Sequence, residues 1–163
     1  MQFLSAASFA ILDAATMGAE FKTAASRQPL HTCLFRGESE QNLATVAPYL
    51  FPLTDAATFG KWLLDTGWGR GWGVRIVTAA SNESLRVHLR KFLIVKTEDG
   101  KELYFRYYDP RVLRVILPSF KSTELKELFG PIEEWVVEDE DARYALRFRL
   151  VGQELRTLRE PLF

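Results

Sequence analysis

Ile94-Val95-Lys96-Thr97-Glu98-Asp99-Gly100-Lys101-Glu102-Leu103-Tyr104-Phe105-Arg106-Tyr107-Tyr108-Asp109-Pro110-Arg111 is the stretch that decides the fold class. Asp99-Gly100 is a hairpin signal, because tight hairpin turns need positive φ and glycine adopts it without a steric cost. It predicts a strand over 94–95 and a return strand over 103–108. On the return strand Phe105 and Tyr107 share one face and Tyr104 and Tyr108 the other. Such a strand is covered on both sides or leaves an aromatic face for a partner. Asp109-Pro110 then opens a helix over 111–117: aspartate accepts from the first unpaired N–H groups, and proline suits the first turn, where its missing N–H removes no bond. A hairpin running into a capped helix argues for α+β rather than for a doubly wound nucleotide fold.

Upstream, Ser81 starts the clearest helix, with Leu85, Leu89, Phe92 and Leu93 at helical spacing and Arg86 and Arg90 one turn apart on another face. Before it come predicted strands over 9–15, 31–35 and 74–79, and helices over 19–26, 39–46 and from Thr54 or Asp55 to Leu64. Tyr49-Leu50-Phe51 lies between Pro48 and Pro52, so an edge strand or extended segment is expected. Downstream, a helix over 123–129 has Ser122 as its cap. Strands follow over 135–138 and 144–150, the second alternating apolar and polar residues as a half-buried antiparallel strand does. Residues 152–163 read as a frayed or partner-docked tail. The expected architecture is a mixed, largely antiparallel sheet with short helices packed on it. It forms one domain over 1–163, or two lobes at about 1–80 and 81–163.

The chain has 163 residues, 47% hydrophobic and 26% charged, which is too apolar for disorder. A chain of this size buries about 70% of its unfolded surface, enough for a core without metals or disulfides. Lysine plus arginine and aspartate plus glutamate are 21 each, so the net charge is zero and a general nucleic-acid binder is disfavoured. Cys33 is the single cysteine, so no intramolecular disulfide is required. The first basic residue is Lys22 and Asp13 interrupts the early apolar run, against a secretory signal. No window approaches the roughly 20 apolar residues of a membrane span. The expectation is a soluble, cytoplasmic protein with no membrane and no nucleic-acid partner. Residues 1–81 hold 6 basic and 6 acidic side chains and the remainder 15 of each, so the first half is more buried or offers an apolar surface.

Residues 67–73, Gly-Trp-Gly-Arg-Gly-Trp-Gly, invite a phosphate-loop reading, but the dinucleotide fingerprint needs G-x-G-x-x-G after a strand and opening a helix. Here the order is helix, loop, strand. A permissive loop is the better reading, and an exposed Trp68 or Trp72 becomes a protein-contact candidate. His31, Cys33 and His88 are too few for a zinc site without added carboxylates, so a buried thiol and satisfied imidazoles are expected. No G-x-S-x-G elbow is present. Glu133, Glu134, Glu138, Asp139, Glu140 and Asp141 lack the ligand spacing of a calcium loop and read as a solvated turn, or as an electrostatic dock for a basic partner. Arg111 stands in the first turn of its helix, against the dipole. An internal arginine–carboxylate clamp is expected there, with a partner interface as the alternative.

Tyr104-Phe105-Arg106-Tyr107-Tyr108-Asp109-Pro110-Arg111-Val112-Leu113 resembles the hallmark of the type VI secretion effector adaptors, formerly catalogued as a domain of unknown function. Residues 10–15, Leu34-Phe35-Arg36-Gly37, 46–50, Trp72-Gly73-Val74, His88-Leu89-Arg90-Lys91 and Phe129-Gly130-Pro131-Ile132 resemble further blocks of that family, in order, over roughly residues 9–150. The resemblance implies a non-enzymatic bacterial adaptor or chaperone. It would bind a cognate toxic effector and help load it onto the VgrG spike, sometimes through a PAAR-type tip domain, with no cofactor. Many members carry a longer C-terminal region thought to select the effector, whereas this chain stops soon after the shared block. It is then a minimal adaptor, a core that carries its own specificity, or a fragment.

The expected partner-binding residues are Trp68, Arg70, Trp72, Tyr104, Arg106, Tyr108, Arg111 and Arg114, as contacts or as supports for contacts. Asp109 and Pro110 are structural, and no catalytic or metal-binding residue is expected. Two rivals remain open: an immunity-type protein that blocks a toxin, and a small hydrolase with a carboxylate site around Glu138 or Asp141.

Overall fold

The computed structural model describes residues 9–162. β1 (Phe9–Asp13) is buried along its whole length, which is why residues 9–12 read as an apolar run that Asp13 ends. It pairs with β3 (Pro48–Pro52) on one side and β4 (Gly73–Thr78) on the other. β2 (Thr32–Cys33) flanks β3, and β4 continues through β7 (Ile132–Glu138) to β8 (Tyr144–Val151) and β9 (Glu154–Pro161), in the order β2-β3-β1-β4-β7-β8-β9. The β4–β7 pairing makes one sheet of the two halves of the chain. A separate ribbon joins β5 (Ile94–Lys96) and β6 (Glu102–Tyr104). The α+β class holds, with antiparallel pairing throughout the described strands.

The helices are α1 (Ala14–Met17), α2 (Glu20–Arg27), α3 (Gly37–Leu43), α4 (Lys61–Gly67), α5 (Asn82–Arg90), α6 (Pro110–Ile116) and α7 (Ser122–Phe129). They cover both faces of the large sheet. Phe9, Ile11, Ile76, Trp135 and Phe148 pack against Leu85 and Leu89 of α5, Leu113 of α6 and Leu125 and Leu128 of α7. On the opposite face Ala10, Leu12, Phe51 and Trp72 pack against Met17, Ala24, Phe59 and Leu63.

Four local expectations are corrected. Pro48 and Pro52 are the end residues of a strand one place inside the sheet, and β2 asks only Tyr49 and Leu50 to pair on that side. The return strand stops at Tyr104, because the backbone turns where the Asp109 N–H donates to the Arg106 carbonyl at 3.0 Å. The cap of α7 falls at Lys121 rather than Ser122, and the Glu124 carboxylate accepts from the Lys121 backbone N–H at 2.9 Å. Residues 154–161 are not a tail but β9, held along β8, and Leu162 is buried after it; Phe163 lies outside the described residues.

Candidate interaction surface

The Asp109 side chain caps α6 as expected, accepting from the Arg111 backbone N–H at 2.9 Å, and Pro110 fills the first helical position. The same carboxylate takes the Arg111 guanidinium in two hydrogen bonds, of 3.1 and 2.9 Å. Arg111 thus stands against the helix dipole because the capping residue itself neutralises it. Arg106 reaches Asp109 at 3.9 Å and donates to Asp13, whose carboxylate also caps α1 through the Ala15 N–H and the Thr16 hydroxyl. The internal clamp is therefore present, and it alternates in charge: Asp13, Arg106, Asp109, Arg111. Burial raises the Asp109 carboxyl, but its hydrogen bonds to Arg111 and the charges of Arg111 and Arg106 outweigh that and hold it below the ordinary range.

The glycine loop meets this clamp from the other side. Gly69 and Gly71 have positive φ, and their N–H groups converge on the Glu138 carboxylate at 2.7 and 2.8 Å. A loop that looked able to hold a phosphate holds an anion of its own chain. Glu138 belonged to the acidic cluster expected to be solvated; it and Glu134 are instead buried. Burial pushes the Glu138 carboxyl up, against the Gly69 and Gly71 N–H groups and the charges of Arg75 and Arg114. Arg75 lies buried on the same sheet face, 5.1 Å over the Trp68 ring, and burial lowers it to about 10. The Trp68 indole N–H donates to the Ala142 carbonyl at 2.8 Å, tying the loop to the β7–β8 turn.

Between the loop, α6 and that turn lies a cleft of about 200 Å³, walled by Arg70, Arg111, Arg114 and the 138–142 segment. Arg70 and Arg111 are exposed and Arg114 is half-buried, donating to the Glu138 backbone carbonyl at 3.3 Å. Trp68 is half-buried beside them.

The other expected contacts divide. Trp72 and Tyr108 are 2% and 5% exposed, a correction to any reading that puts them against a partner directly. Each lies beneath an arginine: Arg70 is 4.7 Å over the Trp72 ring and Arg106 is 5.9 Å over Tyr108. Tyr104 is 54% exposed but lines a different groove, with Phe35 and Arg90. Arg106 is half-exposed over its carboxylates.

The remaining candidates for chemistry have structural partners. His31 Nδ1 lies 2.7 Å from the Gln28 carbonyl and its ring stacks on Phe51. His88 Nε2 lies 2.8 Å from the Leu128 carbonyl, and burial lowers its pKa. Burial pushes the Cys33 thiol up. Among the described residues no group of three or more His, Cys, Asp or Glu side chains is placed to hold a metal ion, and no helix is long and apolar enough to cross a membrane.

A family model described as a domain of unknown function, DUF4123, matches residues 8–127, which includes the clamp, the glycine loop and α6. The chain belongs to this family. DUF4123 proteins are known as type VI secretion effector adaptors. The match ends within α7, so the Phe129-Gly130-Pro131-Ile132 block and β7–β9 lie beyond it. No curated protein and no solved structure matches the chain.

Proposed function

We propose that this DUF4123 chain is an adaptor in the bacterial cytoplasm. It binds a cognate type VI secretion effector and promotes its loading onto the VgrG spike, with a PAAR-type tip domain as a further contact, and it transforms no substrate. The family membership supports the adaptor role. One observation carries the choice of surface. Arg70, Arg111 and Arg114 converge on one cleft while their frame is locked by the chain's own carboxylates, Asp109 and Glu138. Guanidinium groups held in place before contact lose less conformational freedom on binding, and arginine is enriched at interface hot spots.

Co-expression with a candidate cognate effector, followed by size-exclusion chromatography, tests the proposal. The expected result is one co-eluting complex in which the toxin keeps its catalytic activity. Two separate peaks at micromolar concentration contradict it. A complex in which toxin activity is abolished supports an immunity protein instead.

A further inference from the structure

A second concavity, of about 290 Å³, lies between residues 34–39, the end of α5 and the β5–β6 ribbon, and shares no lining residue with the cleft above. Its floor is apolar: Leu34, Phe35 and Leu93 are buried, while Ile94 and Tyr104 stay 46% and 54% exposed. The Phe35 and Tyr104 rings pack at 5.7 Å. Its rim is cationic, with Arg36, Arg90 and Lys91, and no carboxylate lines it.

Several arginines elsewhere on the molecule are neutralised within the chain. Arg106, Arg111, Arg143, Arg147 and Arg159 each face a carboxylate of the chain. Among the described residues Arg36, Arg90 and Lys91 make no ion pair. Arg90 is fixed at the wall by donating to the Leu34 and Cys33 carbonyls at 3.1 and 2.9 Å. Its pKa is lowered by burial and then by the neighbouring charges of Arg36 and Arg86, with Glu40 acting the other way. Arg86, one turn earlier on α5, has a buried Nε with no acceptor. Three cations without an ion pair thus rim an apolar hollow that no carboxylate lines. The adjoining ribbon leaves Val95 and Leu103 exposed as well, and a two-stranded ribbon gains stability when it is covered.

We infer that this groove docks an acidic, apolar peptide segment of another protein. A large aliphatic or aromatic side chain seats on the floor among Phe35, Leu93 and Tyr104, and flanking Asp or Glu side chains pair with Arg36 and Lys91. The volume falls at the lower end of small-molecule pockets and suits one or two side chains of a passing chain. The inference stands on the groove alone and survives failure of the secretion reading, because any protein that carries such a segment would serve.

Panning a random dodecamer display library against the full chain tests it. The expected outcome is an enriched motif with at least two Asp or Glu residues around an aliphatic or aromatic anchor. A synthetic peptide of that motif should bind about tenfold more weakly to R36E/K91E. Its binding should also weaken as salt rises. Both positions are exposed and neither side chain holds an intrachain hydrogen bond among the described residues, so the variant should keep the wild-type melting temperature; Y104A, which keeps every rim charge, should weaken the peptide too. No enrichment over a control protein, a neutral or basic motif, or binding indifferent to R36E/K91E overturns the inference. So does self-association that R36E/K91E abolishes, or capture of a single-stranded oligonucleotide by the same cations in place of the peptide.

Discussion

Replacing Glu138 by alanine removes both oxygens that hold the glycine loop. The two N–H groups they accept from, Gly69 and Gly71, are 2.7 and 2.8 Å away, and the Gly71 backbone is buried. Hydrogen bonds to a charged group contribute about 1.5–3 kcal/mol each. Gly69 is exposed, so water recovers part of its bond, and the sum falls to about 3–4 kcal/mol. For a chain of this size each kcal/mol moves the melting temperature by about 2–4 °C, so E138A should melt about 6–16 °C lower. E138Q keeps one acceptor oxygen and should lose about half as much. Urea unfolding followed by tryptophan fluorescence reads the effect, because Trp68 and Trp72 sit in the loop; the midpoint should fall with an unchanged slope. E140A, at an exposed neighbour, should stay within about 0.5 kcal/mol. A loss below about 1 kcal/mol in E138A, or E138Q as damaged as E138A, would refute the role given to this carboxylate.

A Cβ at Gly73 would lie 1.9 Å from the Ile11 carbonyl oxygen, a backbone atom fixed in the β1–β4 pairing, so G73A should fail to fold or melt at least 10 °C lower by about the same scaling. G100A, at φ 83 with open space around it, should cost only about 1–2 kcal/mol. D109N can still cap α6 but cannot neutralise Arg111 and Arg106, so D109A should be less stable than D109N by about 1 kcal/mol in urea. Because the Asp109 carboxyl is held low when folded, its contribution is present above the ordinary carboxylate range and is lost as pH falls through its lowered value. The acid limb of the stability curve should therefore be flatter in D109N, by circular dichroism. His88 is held below its ordinary value by burial, so stability is full above about pH 6.5 and declines as pH falls from there toward the lowered value. H88Q should remove that decline; an unchanged curve would place the titration elsewhere.

Features governed by neighbours in the sequence were legible in it. Asp109-Pro110 starts a helix, Asp99-Gly100 turns a hairpin and Ser81 caps α5, accepting from the Ser84 N–H at 3.2 Å, because each depends on atoms within four residues. β8 was legible because Leu146, Phe148 and Leu150 pack into the core while Arg147 and Arg149 alternate with them, so its period shows. β9 was not: Glu154, Arg156, Thr157, Leu158 and Arg159 are all exposed, so no apolar alternation marks the strand, and only its pairing to β8 makes it one. The aromatics of 104–108 were ambiguous for a related reason. Tyr107 and Tyr108 enter the core after a turn at Arg106, which an assumed continuous strand could not reveal. The site was half legible. Arg70, Arg111 and Arg114 do converge, but their frame depends on contacts across long separations, from Arg106 to Asp13 and from Glu138 to Gly71, which local pattern does not encode. Six neighbouring acids gave no sign of which would turn inward.

The claim that the cleft grips another polypeptide is tested most directly by light scattering on chromatographed mixtures of the purified chain and its effector, wild type against R70E/R114E. A stable complex for the wild type, lost in the double variant while circular dichroism shows that variant still folded at the assay temperature, is the result predicted. A complex that survives both charge reversals, or none with either protein, contradicts it.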